Sequence, residues 1–299
     1  MKKVRDYDMK HAYLIMCHNN FEQLKLLLKL LDDERNDIYV HIDKKAKSFC
    51  IDDFNAVTER AGLTFVKRIN VSWGGYSLIA AEMNLLKAAV NSRYSYYHLL
   101  SGVDLPIKSQ NEIHDFFEKN AGKEFISVDE SSVGGSDFSN RIGEYHLLQD
   151  FIGRNSGLRI TVIEKCERLS LMFQKKMRVN RNRHNKMVIY KGSNWFSITH
   201  DMVLYVLDRE REIKRCFGYG LAADELFLQT IAMHSPYKQN ITGTCMRLIN
   251  WDRGEPHTFT EADYEMLIHS DNLFARKFDY SRCPEIVNMI YNNVEKKNI

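Results

Sequence analysis

The strongest constraint on this chain is a strand, a helix and a second strand that follow one another within residues 11–43. His11-Ala-Tyr-Leu-Ile-Met-Cys17 is an apolar run ending at the polar tip His18-Asn19-Asn20. From Phe21 to Leu31 the leucines at 24, 27, 28 and 31 share one face, the spacing of a half-buried helix. Asp37-Ile-Tyr-Val-His-Ile-Asp43 is a second apolar run, with Asp43, Lys44 and Lys45 at its end. Such runs suit strands covered on both faces, as in a parallel sheet. The unit therefore predicts a right-handed βαβ crossover and an α/β fold. Ligands of open α/β sheets lie beyond the carboxyl ends of the strands. His18, Asn19 and Asp43 stand where a nucleotide would lie, although plain polar strand ends would look the same.

The alternation continues. Leu63–Lys67 is a strand candidate, and Val71-Ser-Trp-Gly-Gly-Tyr-Ser77 leads into a helix over 78–90. Ser77 is a candidate N-cap. The two glycines after Trp73 suit either close backbone approach to a ligand or a tight turn. Tyr94–Leu100 predicts a central strand opening into Ser101-Gly-Val-Asp-Leu-Pro-Ile107. Asp104 sits where nucleotide-sugar enzymes place a metal-binding Asp-x-Asp, but its partner position is Pro106. The one Asp-x-Asp, Asp6-Tyr7-Asp8, precedes the first strand. Helices are expected over 110–120, 160–177, 201–208 and 260–269, and a strand over 125–129. Residues 130–155, rich in Ser, Gly, Asp and Arg around Tyr145 and His146, read as a functional loop. Residues 174–186 hold six Lys or Arg and no acid, which suits a solvated loop or a patch facing anionic lipid or phosphate.

Gly218-Tyr-Gly-Leu-Ala-Ala-Asp-Glu225 ends in adjacent carboxylates, Asp224 and Glu225, before the apolar run from Leu226. Acids at a helix start are ordinarily explained by free N–H groups and the helix dipole. The competing reading is a catalytic carboxylate.

Forty-two Lys and Arg against 39 Asp and Glu leave a net charge of +3, which does not mark a nucleic-acid binder. The six cysteines lack CxxC spacing, so neither a zinc site nor a disulfide framework is expected. Met1–Asp8 is polar and unlike a secretory signal, and no apolar run reaches membrane-spanning length. A cytoplasmic protein, peripheral at most on the inner face of the cell membrane, is the expectation.

Several blocks, taken in order, resemble one family. They are Ala12-Tyr-Leu-Ile15, Tyr39-Val-His-Ile-Asp43, Trp73 before a helix, Leu100-Ser-Gly-Val-Asp-Leu-Pro-Ile-Lys108, Gly192-Ser-Asn-Trp195, Asp224-Glu225 and Leu273-Phe-Ala-Arg-Lys-Phe-Asp279. The set resembles the core-2/I-branching β-1,6-N-acetylglucosaminyltransferases of glycosyltransferase family 14, with the peptide-O-xylosyltransferases, over roughly residues 11–280. The resemblance implies a single GT-A-like α/β domain, with a mostly parallel central sheet flanked by helices, over residues 1–299. Residues 1–128 would form its nucleotide-binding half and 129–299 its acceptor-binding and catalytic half. It further implies inverting transfer from a UDP-sugar with no divalent metal, in agreement with the missing Asp-x-Asp.

Carried over by motif, Glu225 resembles the catalytic base. Lys277 and an upstream arginine, Arg253 or else Arg247, resemble the pair that holds the diphosphate. Asp43 resembles the reader of the uracil end, with His18, Asn19, Trp73 and Asp104 grouped with it on the nucleotide side. Trp195, Ser193, Tyr145 and Asp224 are the candidates for acceptor or sugar contact. The missing stem and disulfide cysteines suggest a bacterial-type member. Gly192-Ser-Asn-Trp-Phe196 is closer to the xylosyltransferase form, so GlcNAc, Xyl, Glc and Gal stay open as donors. The expected acceptor is a saccharide, carried on a lipid in surface-polysaccharide assembly, with membrane contact through 174–186. A non-catalytic glycan- or nucleotide-binding protein on the same fold is the alternative.

Overall fold

The computed structural model describes residues 10–129, 141–153, 156–181, 187–251 and 256–298. Strands β1 (His11–Cys17), β2 (Asn36–Ile42), β3 (Gly62–Phe65) and β4 (Tyr96–Ser101) form the parallel part of a seven-stranded sheet. The others in that sheet are β6 (Glu124–Ser127), β7 (Phe196–Thr199) and β8 (Ile241–Gly243), in the order β3-β2-β1-β4-β7-β6-β8. β7 alone runs against its neighbours. In the central register Leu14 lies between Tyr39 and Leu99. A second, small sheet joins β5 (Leu105–Pro106), β10 (Phe274–Arg276) and β9 (Arg247–Ile249).

Because strand side chains alternate, β1 feeds two cores. Tyr13, Ile15 and Cys17 pack with helices α1 (Phe21–Leu30), α3 (Gln110–Lys119) and the C-terminal α10 (Pro284–Asn298). Ala12 and Leu14 pack on the other face with α2 (Ser77–Ala89), α6 (His200–Asp208) and α8 (Phe227–Met233). The expected α/β architecture, a mostly parallel sheet flanked by helices, is thus present. Between these elements lie α4 (Gln149–Ile152), α5 (Leu158–Lys176), α7 (Glu210–Phe217) and α9 (Tyr264–Ile268).

Three local expectations change. Ser77 opens α2 rather than capping it. The cap comes from a distant part of the chain, where Asp150 accepts from Ser77 N and Oγ at 3.2 and 2.6 Å. A Cβ on Gly75 would sit 2.0 Å from Asp150 Oδ1, so a bare backbone is required there. The expected loop 130–155 contains α4, which brings Asp150 to this place. The helix expected over 260–269 is a 3₁₀ turn followed by the short α9, opened by a capping box between Thr260 and Asp263.

Under the sheet lies a buried polar network. His11 Nδ1 and His98 Nε2 are 3.1 Å apart, and His98 Nδ1 is 2.8 Å from Ser197 Oγ. Arg247 donates to that hydroxyl and to the carbonyls of Phe196, Leu99 and Cys245. His114 stacks on His11 at 4.0 Å and bonds Asn36, which in turn bonds Gln110. Burial pulls the pKa of all three imidazoles down, His114 to about 4, so they are neutral at pH 7.

Candidate active site

The carboxyl ends of the parallel strands are drawn together by main-chain bonds. Asp43 N donates to Cys17 O, and Gly102 N donates to Met16 O. The segment after β10 closes over them: Phe278 N donates to Val103 O, and Asn20 Nδ2 reaches Asp279 Oδ1 at 3.2 Å. The segments that carry His18, Asn19, Asp43, Asp104 and Lys277 are therefore neighbours. His18 and Asn19 are exposed. Asp43 is buried and organises the turn beyond β2, its Oδ1 accepting from Lys45 N and Val71 N. Lys277 is half-buried, and its ammonium has no partner among the described residues. Asp104 is fully buried, accepts from Ser101 N and Oγ, and has Arg276 Nε at 3.7 Å. It faces protein, not an open cleft.

The loop from 218 to 226 ties two further turns together. Ala222 N donates to Gly74 O, and Gly192 N donates to Glu225 O. The turn after Trp73, the Gly192-Ser-Asn-Trp195 turn and the two carboxylates are thereby locked to each other. A Cβ on Gly192 would fall 1.8 Å from Ser127 O, so glycine is required for this close approach. Arg276 links these turns to the strand ends, its guanidinium 4.0 Å above the Trp195 ring and its Nε facing Asp104.

Asp224 and Glu225 do not cap a helix. They lie in a 3₁₀ turn, Ala223–Glu225, ahead of α8, and neither element has a side-chain cap. Glu225 is partly exposed and pairs with Arg141 at 2.9 Å. Asp224 is buried beside the fully buried Glu82 of α2. Burial first, and the neighbouring Glu225 second, push the Asp224 carboxyl up to about 7. Burial and then Asp224 hold the Glu82 carboxyl well above the usual range. Two adjacent acids thus have different roles. Glu225 is partly open to solvent and paired with Arg141, and Asp224 belongs to a buried pair.

Among the described residues, polar side-chain atoms buried without a hydrogen-bond partner gather here. They include both Glu82 oxygens, Asp224 Oδ1, Gln229 Oε1 and Arg276 Nη1. Gln229 Nε2 donates to Ser193 O at 2.5 Å, placing that orphaned oxygen beside the 192–195 turn. Orphaned polar atoms are uncommon in an interior and mark places with a role beyond packing.

The remaining candidates divide between interior and surface. Trp195 and Asp224 are interior groups, and one face of the Trp195 ring is covered by Arg276, so neither is presented to an acceptor. Ser193 is half-buried, and its hydroxyl accepts from Trp195 N. Trp73 and Tyr145 are exposed aromatics. Tyr145 packs on Tyr219 at 5.6 Å, with Arg181 above both rings. Arg181 also donates to the carbonyls of Glu144, Arg215 and Cys216, so this member of the basic run is drawn inward. Arg253 and residues 182–186 lie outside the described residues. Arg247, the alternative to Arg253, is committed to the buried network and reaches no cleft.

Sequence reasoning missed Glu82, Arg141 and Asp150, and it passed over Arg276 for its neighbour. Only Glu82 had a readable signal, an acid in step with Ile79, Leu85 and Leu86 on the apolar stripe of α2.

Xylosyltransferase 2 of Rattus norvegicus is similar to the chain, 24% identical over 311 residues that cover 93% of the chain and 33% of the relative. A xylosyltransferase of Ciona intestinalis is 21% identical over 302 residues, with the same coverage. The chain spans about a third of the length of these curated relatives. Among solved structures, mouse xyloside xylosyltransferase 1 in its apo form aligns with 89% of this chain and 96% of its own at TM-score 0.37 and 10% identity. The family model described as Core-2/I-Branching enzyme matches residues 11–273, and the chain belongs to that family.

Proposed function

We propose that the protein is an inverting glycosyltransferase that moves a sugar from a UDP-sugar to a saccharide hydroxyl without a divalent metal. The observation that carries this reading is the Glu225 carboxylate, partly exposed, held by Arg141 and fixed through its own carbonyl to Gly192. In the reaction the acceptor oxygen attacks the anomeric carbon as the bond to the diphosphate breaks. UDP leaves with the bonding electrons, and Glu225 takes the acceptor proton. UDP is a good leaving group, so no acid is needed to protonate it, unlike in glycoside hydrolysis. Charge on the departing diphosphate needs a fixed cation in place of the usual metal. Lys277, half-buried and without a side-chain partner among the described residues, suits this duty, with Arg253 as its assigned companion. Asp104, where a metal-binding acid would be sought, is instead occupied by Ser101 and Arg276.

In this reading residues 1–128 supply the nucleotide side and 129–299 the acceptor side. GlcNAc is the first donor to test, and the relatives' names bring xylose beside it. The acceptor is a saccharide on a lipid at the inner face of the membrane, reached through the basic run 174–186. Transfer of label from UDP-GlcNAc, UDP-Xyl, UDP-Glc and UDP-Gal in EDTA tests the reading. One donor should be turned over in EDTA. Glu225→Gln should reduce that turnover by about 10²–10⁴-fold while UDP binding stays near wild type. Near-normal turnover by this variant, or strict dependence on manganese, would overturn the assignment.

A further inference from the structure

Helix α5 is inside out. Its buried residues are polar, Glu167 and Gln174, whereas Leu158, Val162, Leu169, Met172 and Phe173 are all 60% exposed or more. Glu167 accepts from Leu148 N and faces His146 at 3.4 Å, and Gln174 bonds both the N–H and the carbonyl of Tyr145. The helix is thus fastened to the molecule by hydrogen bonds beside the half-buried Ile160, Ile163 and Leu171, and it points the other apolar side chains outward. Leu158, Val162, Cys166, Leu169, Phe173 and Met177 follow one another at steps of three or four residues, so they form one continuous stripe. Exposed Phe151 and Leu147 lie just ahead of it. A stripe of this length on a water-facing surface marks an interaction site.

The charges identify the occupant. Arg159, Lys165, Arg168, Lys175, Lys176 and Arg178 are exposed on the helix and just after it, while the two acids of the segment, Glu164 and Glu167, are half-buried and buried. An apolar stripe on a helix whose exposed charges are all cations would repel a second copy of itself, but it complements a bilayer with anionic headgroups. We infer that α5 is an interfacial helix that seats the protein on an anionic membrane surface, with the Leu169 and Phe173 side chains entering the acyl boundary. The inference deepens the membrane contact proposed above, moving its centre from the 174–186 run to the helix face. It does not depend on the transfer reaction. Because Tyr145 and His146 link α5 to the Arg141 and Tyr219 loops, a seated helix would also hold the cleft next to the lipid surface.

Cosedimentation of the full chain with vesicles tests this. Wild type should pellet with vesicles of equal parts phosphatidylcholine and phosphatidylglycerol, and weakly with phosphatidylcholine alone. Leu169→Ser with Phe173→Ser should lower partitioning by about tenfold or more, from the apolar burial lost. Lys165→Ser with Arg168→Ser should remove most of the preference for the anionic lipid. Circular dichroism and turnover on a water-soluble acceptor should be unchanged in both variants, since these side chains are exposed and outside the cleft. The inference is overturned if wild type ignores both vesicles, if the apolar variant pellets like wild type, or if wild type is a dimer that the apolar variant makes monomeric. Vesicle binding with no transfer from any UDP-sugar would instead overturn the proposed reaction and leave the surface standing.

Discussion

The buried ionisable groups under the sheet and those behind Glu225 are built on opposite principles. Under the sheet, His11, His98, His114 and Arg247 are joined through Ser197, Asn36 and main-chain carbonyls, and only Arg247 Nε is left over. Behind Glu225, neither Glu82 oxygen nor Asp224 Oδ1 has a hydrogen-bond partner among the described residues. The first set is what a fold does with polar groups it must bury, satisfying nearly all of them. The second is a carboxyl pair held without satisfaction next to a partly exposed carboxylate, an arrangement that adds nothing to stability and persists where it serves a site. Burial makes negative charge unfavourable on Asp224 and Glu82, next to the ion pair of Glu225 with Arg141.

Removing a charge from each set should therefore have opposite effects. The largest is expected at Arg247. Arg247→Met leaves the Leu99, Phe196 and Cys245 carbonyls and Ser197 without their donor, and should destabilise the protein by roughly 3–5 kcal/mol in urea unfolding. A loss below about 1 kcal/mol, the worth of a single ordinary hydrogen bond, would show that the network is not held as a unit.

The next effect has the other sign. Asp224 keeps its proton up to about pH 7 when folded and releases it near pH 4 when unfolded, so between those values the folded state binds more protons. Stability then falls as pH rises through this window, and above it the penalty is complete. Asp224→Asn removes the penalty. The variant should be more stable than wild type at pH 8, by up to about 4 kcal/mol, and the gain should vanish as pH falls toward 4. A variant less stable than wild type at pH 8 would show that the buried acid is satisfied after all.

The contrast between the two sets explains what could be read beforehand. The parallel strands were legible because burial on both faces imposes an apolar run, and the leucines of α1 reported their helix because one face packs on that sheet. Asp224-Glu225 was noticed as a pair, but sequence could not say which acid is buried, since that depends on Glu82 packing against them from α2. Arg276 and Lys277 are adjacent, and only the fold shows that one crosses Trp195 toward Asp104 while the other has no side-chain partner among the described residues. Arg141 lies in a stretch without periodicity, where no pattern announces a contact made 84 positions away. Helix α5 was found from its period, but its reversed burial was not, because Glu167 and Gln174 are fastened by the 145–148 segment.

The smallest effect sharpens the comparison by its pH dependence alone. His114 has its folded pKa lowered to about 4 by burial first and Arg35 second, while the unfolded value is near 6.5. Between these values the unfolded chain binds the extra proton, so stability is fully present above pH 6.5 and is lost as pH falls toward 4. That limb runs opposite to the one set by Asp224. In His114→Gln the amide can still donate to Asn36 Oδ1, which His114 Nε2 contacts at 2.9 Å, but it cannot take up a proton. The variant's acid limb should be shallower than that of wild type by at most about 1.4 kcal/mol per pH unit, the slope of one proton. An unchanged slope would mean that His114 is protonated equally in both states, and the network would then owe its neutrality to His11 and His98 alone.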